Sequence, residues 1–291
     1  MSLDLTITIS SRLGKYIYMT HINFIVDCSG SMAAPVSRNE RKFGKYIESV
    51  TRSEAMRYTV QQFLKFLNAD NSTDTFSIIE FSDTAYPLVA NMRADSTNYS
   101  GRKDIMTVIE DLDNMYVKPI SGPYGRNEPI FHPRGGTNIP EALKVTLRQT
   151  PRNTPTINLL FTDMYDLNGD YIFNALMSKN MLDALMANGP LIVTIIAGPH
   201  DRINADRSAR ALQTKVNQYE LSKLSYKELQ ARCKKARMPA VGKKEQLIDR
   251  LLFDRGGISV LRDGNIRFSC VVETFENEVD FYSPLKAAGL A

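Results

Sequence analysis

Residues 21–31 read HINFIVDCSGS, a short apolar run that ends in an aspartate followed by two spaced serines. Continuous apolar runs rich in β-branched residues are typical of strands buried on both faces of a parallel sheet. Three more such runs follow along the chain, at residues 75–81 (TFSIIEF), 156–162 (TINLLFT) and 190–197 (PLIVTIIA). The pattern therefore predicts the central strands of a parallel sheet.

Helical patterns separate these runs, at residues 53–68, 102–115, 140–149 and 171–187. Residues 85–92 follow the second run after a short turn, which predicts one antiparallel edge strand. Alternating strands and helices predict a doubly wound, mostly parallel α/β sheet with right-handed crossovers. Two inserts, residues 33–52 and 114–136, are expected on the rim where the strands end.

The composition is that of a globular chain: 291 residues, 43% hydrophobic and 23% charged. No apolar run approaches the roughly 20 residues of a membrane-spanning helix, so no membrane span is expected. Three cysteines are too few for a disulfide framework, which favours a reducing compartment. We therefore expect an intracellular protein of the cytoplasm or nucleus, or a virion protein if the chain is virally encoded.

Five oxygen-bearing side chains fall at the carboxyl ends of the predicted strands. Asp27, Ser29 and Ser31 close the first strand, Thr137 precedes a helix, and Asp163 closes the strand INLLFT. In a doubly wound sheet these places meet at the edge where ligands bind. Mg²⁺ prefers oxygen ligands and keeps several waters. The three hydroxyls can bind the ion directly, and the two carboxylates can hold its water ligands.

These motifs resemble the metal-ion-dependent adhesion site of von Willebrand factor A domains. The resemblance covers about residues 20–216 and extends to FSD at 81–83 and GGTNIPEAL at 135–143. It implies a Rossmann-like fold, bound Mg²⁺ or Mn²⁺, and a protein partner that donates an acidic residue to the metal. One departure is Met164, where many members of the family have glycine.

The positive charge of the chain is local. Residues 223–255 hold ten lysines and arginines against four acidic residues, whereas the rest of the chain holds 26 against 28. Within this window, LSYKELQARCKKARMPAVGKKEQLIDRL (224–251) resembles a SAP module, a small helix–turn–helix. Its RMP linker departs from the usual Gly-Leu-Pro.

The SAP resemblance implies binding to double-stranded DNA, with AT-rich duplex as the family preference. Lysine and arginine side chains neutralise phosphates and release counterions. The residues expected to contact nucleic acid are Arg232, Lys234, Lys235, Arg237, Lys243 and Lys244. The plainer alternative is a solvated basic face on a protein-docking hairpin.

The predicted domain order is an N-terminal strand or arm (1–19), a von Willebrand factor A domain (20–216), a SAP-like module (217–256), and a C-terminal β-hairpin with a tail (257–291). Two runs, 258–261 and 266–272, flank the turn signal RDGN and predict this hairpin. Residues 4–10 alternate polar and apolar and are a candidate strand to pair with it.

Three functions remain open from the sequence. The first is a non-enzymatic adaptor or scaffold that grips a protein partner through its metal and touches nucleic acid through the hairpin. The second is a structural assembly component, such as a minor capsid or virion protein, that uses its terminal strands for subunit contacts and assembles into a larger complex. The third is a magnesium-dependent phosphohydrolase, which is disfavoured because no general base or phosphate clamp is evident. No catalytic residue is assigned.

Overall fold

The computed structural model describes residues 20–42, 45–69, 74–95, 104–113, 120–121, 127–128, 130–198, 200–254, 260–262 and 265–273. Its strands are β1 (His21–Asp27), β2 (Pro35–Lys42), β3 (Lys45–Thr51), β4 (Thr75–Phe81), β5 (Ala85–Arg93), β6 (Ile120–Ser121), β7 (Asn127–Glu128), β8 (Thr156–Thr162), β9 (Leu191–Ile196), β10 (Val260–Arg262) and β11 (Asn265–Glu273). The candidate strand at residues 4–10 lies outside the described residues.

The helices are α1 (Arg52–Ala69), α2 (Ile105–Asp113), α3 (Ile139–Gln149), α4 (Asp170–Met177), α5 (Met181–Met186), α6 (Arg202–Ser222), α7 (Tyr226–Lys235) and α8 (Lys244–Asp254). Two short 3₁₀ turns, Gly30–Ala33 and Ser178–Asn180, complete the described elements. Among the described residues, no helix is long and apolar enough to cross a membrane.

Seven strands form the main sheet, in the order β10-β11-β9-β8-β1-β4-β5. β1 pairs in parallel with β4 and β8, and β9 pairs in parallel with β8 and β11. β5 is antiparallel to β4 at one edge, and β10 is antiparallel to β11 at the other. The predicted doubly wound, mostly parallel sheet with an antiparallel edge strand is confirmed.

Helices cover both faces of the sheet. Successive residues of β1 alternate between two apolar cores: Phe24 and Val26 pack in one with α1 and α2, and Ile25 packs in the other with α3 to α6. All seven residues of β1 and of β4 are buried, which explains their continuous apolar character. The carboxyl ends of β1, β4 and β8 therefore meet at one edge between two covered faces.

Two predicted segments differ in the structure. The helix predicted at 171–187 is broken into α4 and α5, because Lys179 (φ 51°) and Asn180 (φ 59°) adopt left-handed backbone conformations that a right-handed helix cannot continue. The insert at 33–52 forms the antiparallel hairpin β2–β3 and reaches the first residue of α1. The sequence PVSRNERK of β2 lacks the apolar run by which the other strands were recognised.

The SAP-like hairpin consists of α7 and α8. In the chain it lies between α6 and the last two strands of the main sheet, β10 and β11. α6 runs unbroken through residue 216, where the sequence suggested a domain boundary, and packs on β11 through Gln213, whose Oε1 accepts from the Cys270 N–H at 3.0 Å. After α7 and α8 the chain returns to the sheet through β10 and β11. The C-terminal hairpin is thus continuous with the sheet and not a separate unit.

A buried histidine gives a testable pH dependence of stability. His21 is fully buried, with Nδ1 2.8 Å from Thr75 Oγ1 and Nε2 3.0 Å from Asn23 Oδ1. Burial lowers the pKa of His21 below its ordinary 6.5. The unfolded chain therefore takes up a proton first as the pH falls, and the folded state loses up to about 1.4 kcal/mol per pH unit below that value.

We expect His21→Gln to lose this part of the pH dependence. The free energy of unfolding, measured in urea at pH 7.5 and pH 5.5, should fall more steeply in the wild type than in the variant. Equal pH dependence of the two proteins would contradict a buried neutral His21.

Candidate functional site

Two neighbouring strands deliver the two carboxylates of the candidate metal centre. Asp27 ends β1 and Asp163 directly follows β8. The turn after β1 carries Ser29 and Ser31, and the Gly30 N–H donates to the Gly135 carbonyl at 3.1 Å. That bond joins the turn to the loop that holds Thr137.

A chain of hydrogen bonds connects four of the five residues. Ser29 Oγ lies 3.0 Å from Ser31 Oγ, and Ser31 Oγ donates to Asp163 Oδ1 at 2.9 Å. Asp27 accepts the Ser29 N–H on Oδ1 at 2.8 Å and the Thr162 hydroxyl on Oδ2 at 2.5 Å. The structure thus places Asp27, Ser29, Ser31 and Asp163 in one polar cluster.

The residues of this cluster differ in their exposure to solvent. Asp27 and Ser29 are buried, Asp163 is 6% exposed, and Ser31 is exposed. Desolvation raises the pKa of Asp27 to about 6, although hydrogen bonds from Thr162 and Ser29 oppose the shift. A carboxylate desolvated in this way gains from a nearby cation, because the cation restores the lost stabilisation of its charge.

Thr137 lies on a loop at the same edge of the sheet, and hydrogen bonds from residues outside the loop hold this loop in place. The Gly136 N–H donates to Asp83 Oδ1 at 2.8 Å, and the Tyr171 hydroxyl donates to the Thr137 carbonyl at 2.6 Å. Gly135 has φ +60°, and a Cβ there would lie 2.1 Å from Asp83 Oδ2. Asn138 then caps the start of α3, its side chain accepting the Glu141 N–H at 3.2 Å.

Two functional residues were not found from the sequence. Glu80 is buried on β4 and accepts the Phe131 N–H at 2.8 Å and the Tyr86 hydroxyl at 2.6 Å, so it anchors the segment leading to Thr137. Arg52 donates to Asp163 Oδ2 at 2.6 Å. The sequence feature that could have indicated Arg52 is its place in the first turn of a helix, where acidic residues are favoured over basic ones.

The donor set fits a hard divalent cation. It consists of two carboxylates and three hydroxyls, all oxygen, which suit Mg²⁺ or Mn²⁺. Within the described ranges no group of three or more histidine, cysteine, aspartate or glutamate side chains could hold a metal. Binding at this centre would therefore depend on the hydroxyls as well as on Asp27 and Asp163.

The cysteines are packing residues. Cys28 is buried beside the centre, and burial, with Glu80 and Asp27 nearby, raises the pKa of its thiol well above the ordinary value. Cys233 is buried in the core of the SAP-like hairpin. Burial also raises the pKa of Cys270 on β11.

The SAP-like hairpin has its own small core and a firmly held turn. Leu229, Cys233, Leu247, Ile248 and Leu251 form the core, and Met238 packs against it. A capping box begins α7, because Ser225 Oγ accepts the Glu228 N–H and the Glu228 carboxylate accepts the Ser225 N–H. Between the helices, Arg250 donates to the Pro239 and Val241 carbonyls, and Tyr226 donates to the Gly242 carbonyl at 2.8 Å.

The six basic residues predicted to meet nucleic acid divide into two groups. Lys234, Lys235, Arg237 and Lys243 are exposed, whereas Arg232 and Lys244 are half-buried. Lys244 Nζ donates to the Ser222 carbonyl at 2.8 Å and so ties α8 to the end of α6. The Lys243 N–H donates to Gln246 Oε1 at 2.9 Å and is therefore already hydrogen-bonded within the hairpin.

Further contacts fasten the junction between the sheet and the hairpin. Lys223 forms an ion pair with Asp183 on α5 and lies 4.0 Å from the centroid of the Tyr219 ring. Leu221 and Leu224 pack against the hairpin core. The hairpin is therefore docked on the end of α6.

Two protein families resemble separate parts of the chain. The family model described as the von Willebrand factor type A domain matches residues 22–165, and the SAP domain model matches residues 220–252. No curated protein matches the chain significantly.

Among solved structures, BatB from Bacteroides thetaiotaomicron is similar at 15% identity, with 63% of this chain and 68% of that chain covered and a TM-score of 0.38. A von Willebrand factor type A protein from Catenulispora acidiphila is 11% identical, with 84% and 44% covered and a TM-score of 0.40. The D319A mutant of the PilB minor pilin from Streptococcus sanguinis is 13% identical, with 91% and 59% covered and a TM-score of 0.44. By these family matches, residues 22–165 of this chain are similar to von Willebrand factor type A domains and residues 220–252 are similar to SAP domains.

Proposed function

We propose that this protein is a non-enzymatic adaptor that binds a protein partner through a divalent metal and contacts nucleic acid through its SAP domain. The observation that carries the proposal is the cluster of Ser29, Ser31 and Asp163, linked by hydrogen bonds of 3.0 and 2.9 Å at the carboxyl edge of the sheet. Thr137 lies on a loop that the bond between the Gly30 N–H and the Gly135 carbonyl joins to the same turn.

The residues divide into two roles toward Mg²⁺ or Mn²⁺. Ser29, Ser31 and Thr137 would bind the ion with neutral hydroxyls, and Asp27 and Asp163 would hold its water ligands. Neutral ligands leave the charge of the ion poorly compensated, so the bound ion would supply a site for one more carboxylate. An acidic side chain of a protein partner is the ligand that meets this need.

A hydrolytic role has less support. The Ser29 hydroxyl contacts another hydroxyl, that of Ser31, and its neighbour Cys28 has a raised thiol pKa. The Arg52 guanidinium, which lies beside Asp163, forms ion pairs with Asp163 and Asp201 and is therefore engaged. These contacts favour binding over phosphoryl chemistry.

For the nucleic-acid contact, the exposed Lys234, Lys235, Arg237 and Lys243 adjoin one turn of the hairpin. We expect the full chain to bind a labelled DNA duplex in fluorescence-anisotropy titrations. The logarithm of the binding constant should fall with the logarithm of salt concentration with a slope of about −0.9 for each phosphate neutralised, or roughly −3 to −4 for these four residues. A slope near zero, or no binding at low salt, would contradict the nucleic-acid role.

An assembly role is the second candidate. Among the residues that the structure describes, β10 is the outermost strand at one edge of the sheet, and such an edge could pair with another chain. Strand exchange by β11 is less favoured, because β11 already pairs with β9 over six residue pairs from Phe268↔Leu191 to Glu273↔Ile196. Stable co-assembly with shell proteins, together with failure of the duplex titration, would move this role to first place. Either role is compatible with a reducing compartment, where we place the protein: the cytoplasm, the nucleus or, if virally encoded, a virion.

A further inference from the structure

Arg52 is a cationic side chain built into the candidate metal centre. It is the first residue of α1, behind a capping pair in which Thr51 and Glu54 exchange hydrogen bonds of 2.7 and 3.2 Å. Its Nη1 donates to Asp163 Oδ2 at 2.6 Å, and its Nη2 lies 3.5 Å from Asp201 Oδ2. The same Asp163 carboxylate accepts the Ser31 hydroxyl on its other oxygen, so Arg52 and the candidate metal ligands share one carboxylate.

The position of Arg52 is unfavourable apart from this contact. A positive charge at a helix N-terminus opposes the helix dipole. The side chain is only 11% exposed, and its Nε is buried without a hydrogen-bond partner among the residues described. The ion pair with Asp163, whose side chain is wholly buried, is the contact that offsets these losses.

We propose that Arg52 is a resident counter-cation, which neutralises Asp163 in the metal-free protein and lowers the affinity of the centre for its divalent ion. The inference rests on the proposed metal-binding function and adds to it a residue outside the five-residue motif. Arg52 is a positioning and affinity-setting residue, because it acts on the metal through Asp163.

Two physical effects both predict that Arg52 lowers the affinity for the metal. A metal near Asp163 meets the repulsion of the guanidinium, since both cations lie beside one carboxylate in a mostly buried site. Removal of Arg52 would also leave Asp163 buried and unpaired, which destabilises the metal-free fold and is relieved when the metal binds. Without Arg52 the metal should therefore bind more tightly and stabilise the fold more.

A weakened resting affinity has a consequence for the partner. The ion would be held firmly only when a further carboxylate joins it, so metal retention and capture of an acidic partner become linked. Arg52 would thereby make the centre responsive to the partner.

The test compares Mn²⁺ binding by the full-length wild type and Arg52→Met, which keeps an unbranched apolar stem without the charge. We expect the Kd for Mn²⁺ from calorimetry to fall by about fivefold or more. The metal-free Tm should fall, and the rise in Tm on adding Mn²⁺ should be larger than in the wild type. Arg93→Met, which removes an exposed pair with Asp95, is the matched control and should change neither the affinity nor the Mn²⁺-induced rise in Tm.

The outcomes separate this inference from the function on which it rests. A folded Arg52→Met protein that binds Mn²⁺ equally or more weakly overturns the counter-cation role. Should that variant not fold, Arg52→Gln, which retains a donor for Asp163 without the charge, is measured by the same criterion. No Mn²⁺ binding by the wild type would instead overturn the metal centre itself.

Discussion

Replacing Ser29 and Ser31 together by alanine is expected to lower the affinity for Mn²⁺ by about 100-fold or more, since the loss of even supporting residues around a metal costs 10- to 100-fold. Both hydroxyls belong to the hydrogen-bonded chain that ends at Asp163, so the double variant removes two candidate ligands at once. The remaining oxygen ligands would be Thr137 and water.

The fold should survive this change. The hydrogen bond from the Ser29 N–H to the Asp27 carboxylate does not involve the Ser29 side chain, and Asp163 keeps its ion pair with Arg52. Asp163 does lose one hydrogen bond, for which we expect a loss of about 1–3 kcal/mol in the free energy of unfolding. Isothermal titration calorimetry with Mn²⁺, beside thermal unfolding of the metal-free proteins, measures both quantities.

A matched control removes two serine hydroxyls elsewhere. Ser208→Ala with Ser222→Ala changes α6, which lies outside the centre, and should leave Mn²⁺ affinity unchanged. Retention of wild-type affinity by the Ser29 and Ser31 double variant would exclude these hydroxyls as metal ligands.

Reversing four charges on the SAP-like hairpin is expected to abolish duplex binding. Changing Lys234, Lys235, Arg237 and Lys243 to glutamate replaces attraction to phosphates by repulsion, and we expect affinity to fall by about 100-fold or more at moderate salt. Lys244 is left intact, because its bond to the Ser222 carbonyl docks α8 on α6. The loss can then be attributed to the exposed charges.

The control carries the same change in net charge on the other domain. Lys65, Arg152, Arg207 and Arg210 are exposed and lie outside the hairpin, so their reversal should weaken binding far less. Fluorescence anisotropy on the same duplex compares the two quadruple variants. Equal losses of duplex affinity in the two variants would mean that only the overall charge matters. The SAP-like hairpin would then have no special role in binding.

The edge that carries the candidate metal centre could be predicted from the sequence because the evidence for it is local. Strands such as β1 and β4 are buried on both faces, so their apolar runs are continuous and their ends are visible in the sequence. Once the strands are placed in a parallel sheet, residues after their carboxyl ends must share one edge. The capping box at Ser225 was predictable for the same reason, since all of its contacts lie within three residues.

Contacts between distant segments were not predictable. Arg52 and Asp163 are 111 positions apart, and Glu80 and Phe131 are 51 apart. Lys244 carries a charge that looks the same in sequence whether it faces a phosphate or, as in the structure, the Ser222 carbonyl. Likewise, β9 and β11 pair although the whole SAP-like hairpin separates them in sequence. Nothing near the run at 266–272 therefore indicated that it joins the main sheet.

The sequence by itself determined the central parallel strands, their alternation with helices, the SAP-like hairpin and the five oxygen residues of the candidate centre. These follow from hydrophobic periodicity and short-range hydrogen bonding, which act over a few residues. Only the tertiary structure decided that Arg52 neutralises Asp163, that Lys244 docks the hairpin, and that the C-terminal strand completes the sheet. Charge pairing and strand pairing depend on distance in space, and the folding of the chain sets that distance independently of separation in sequence.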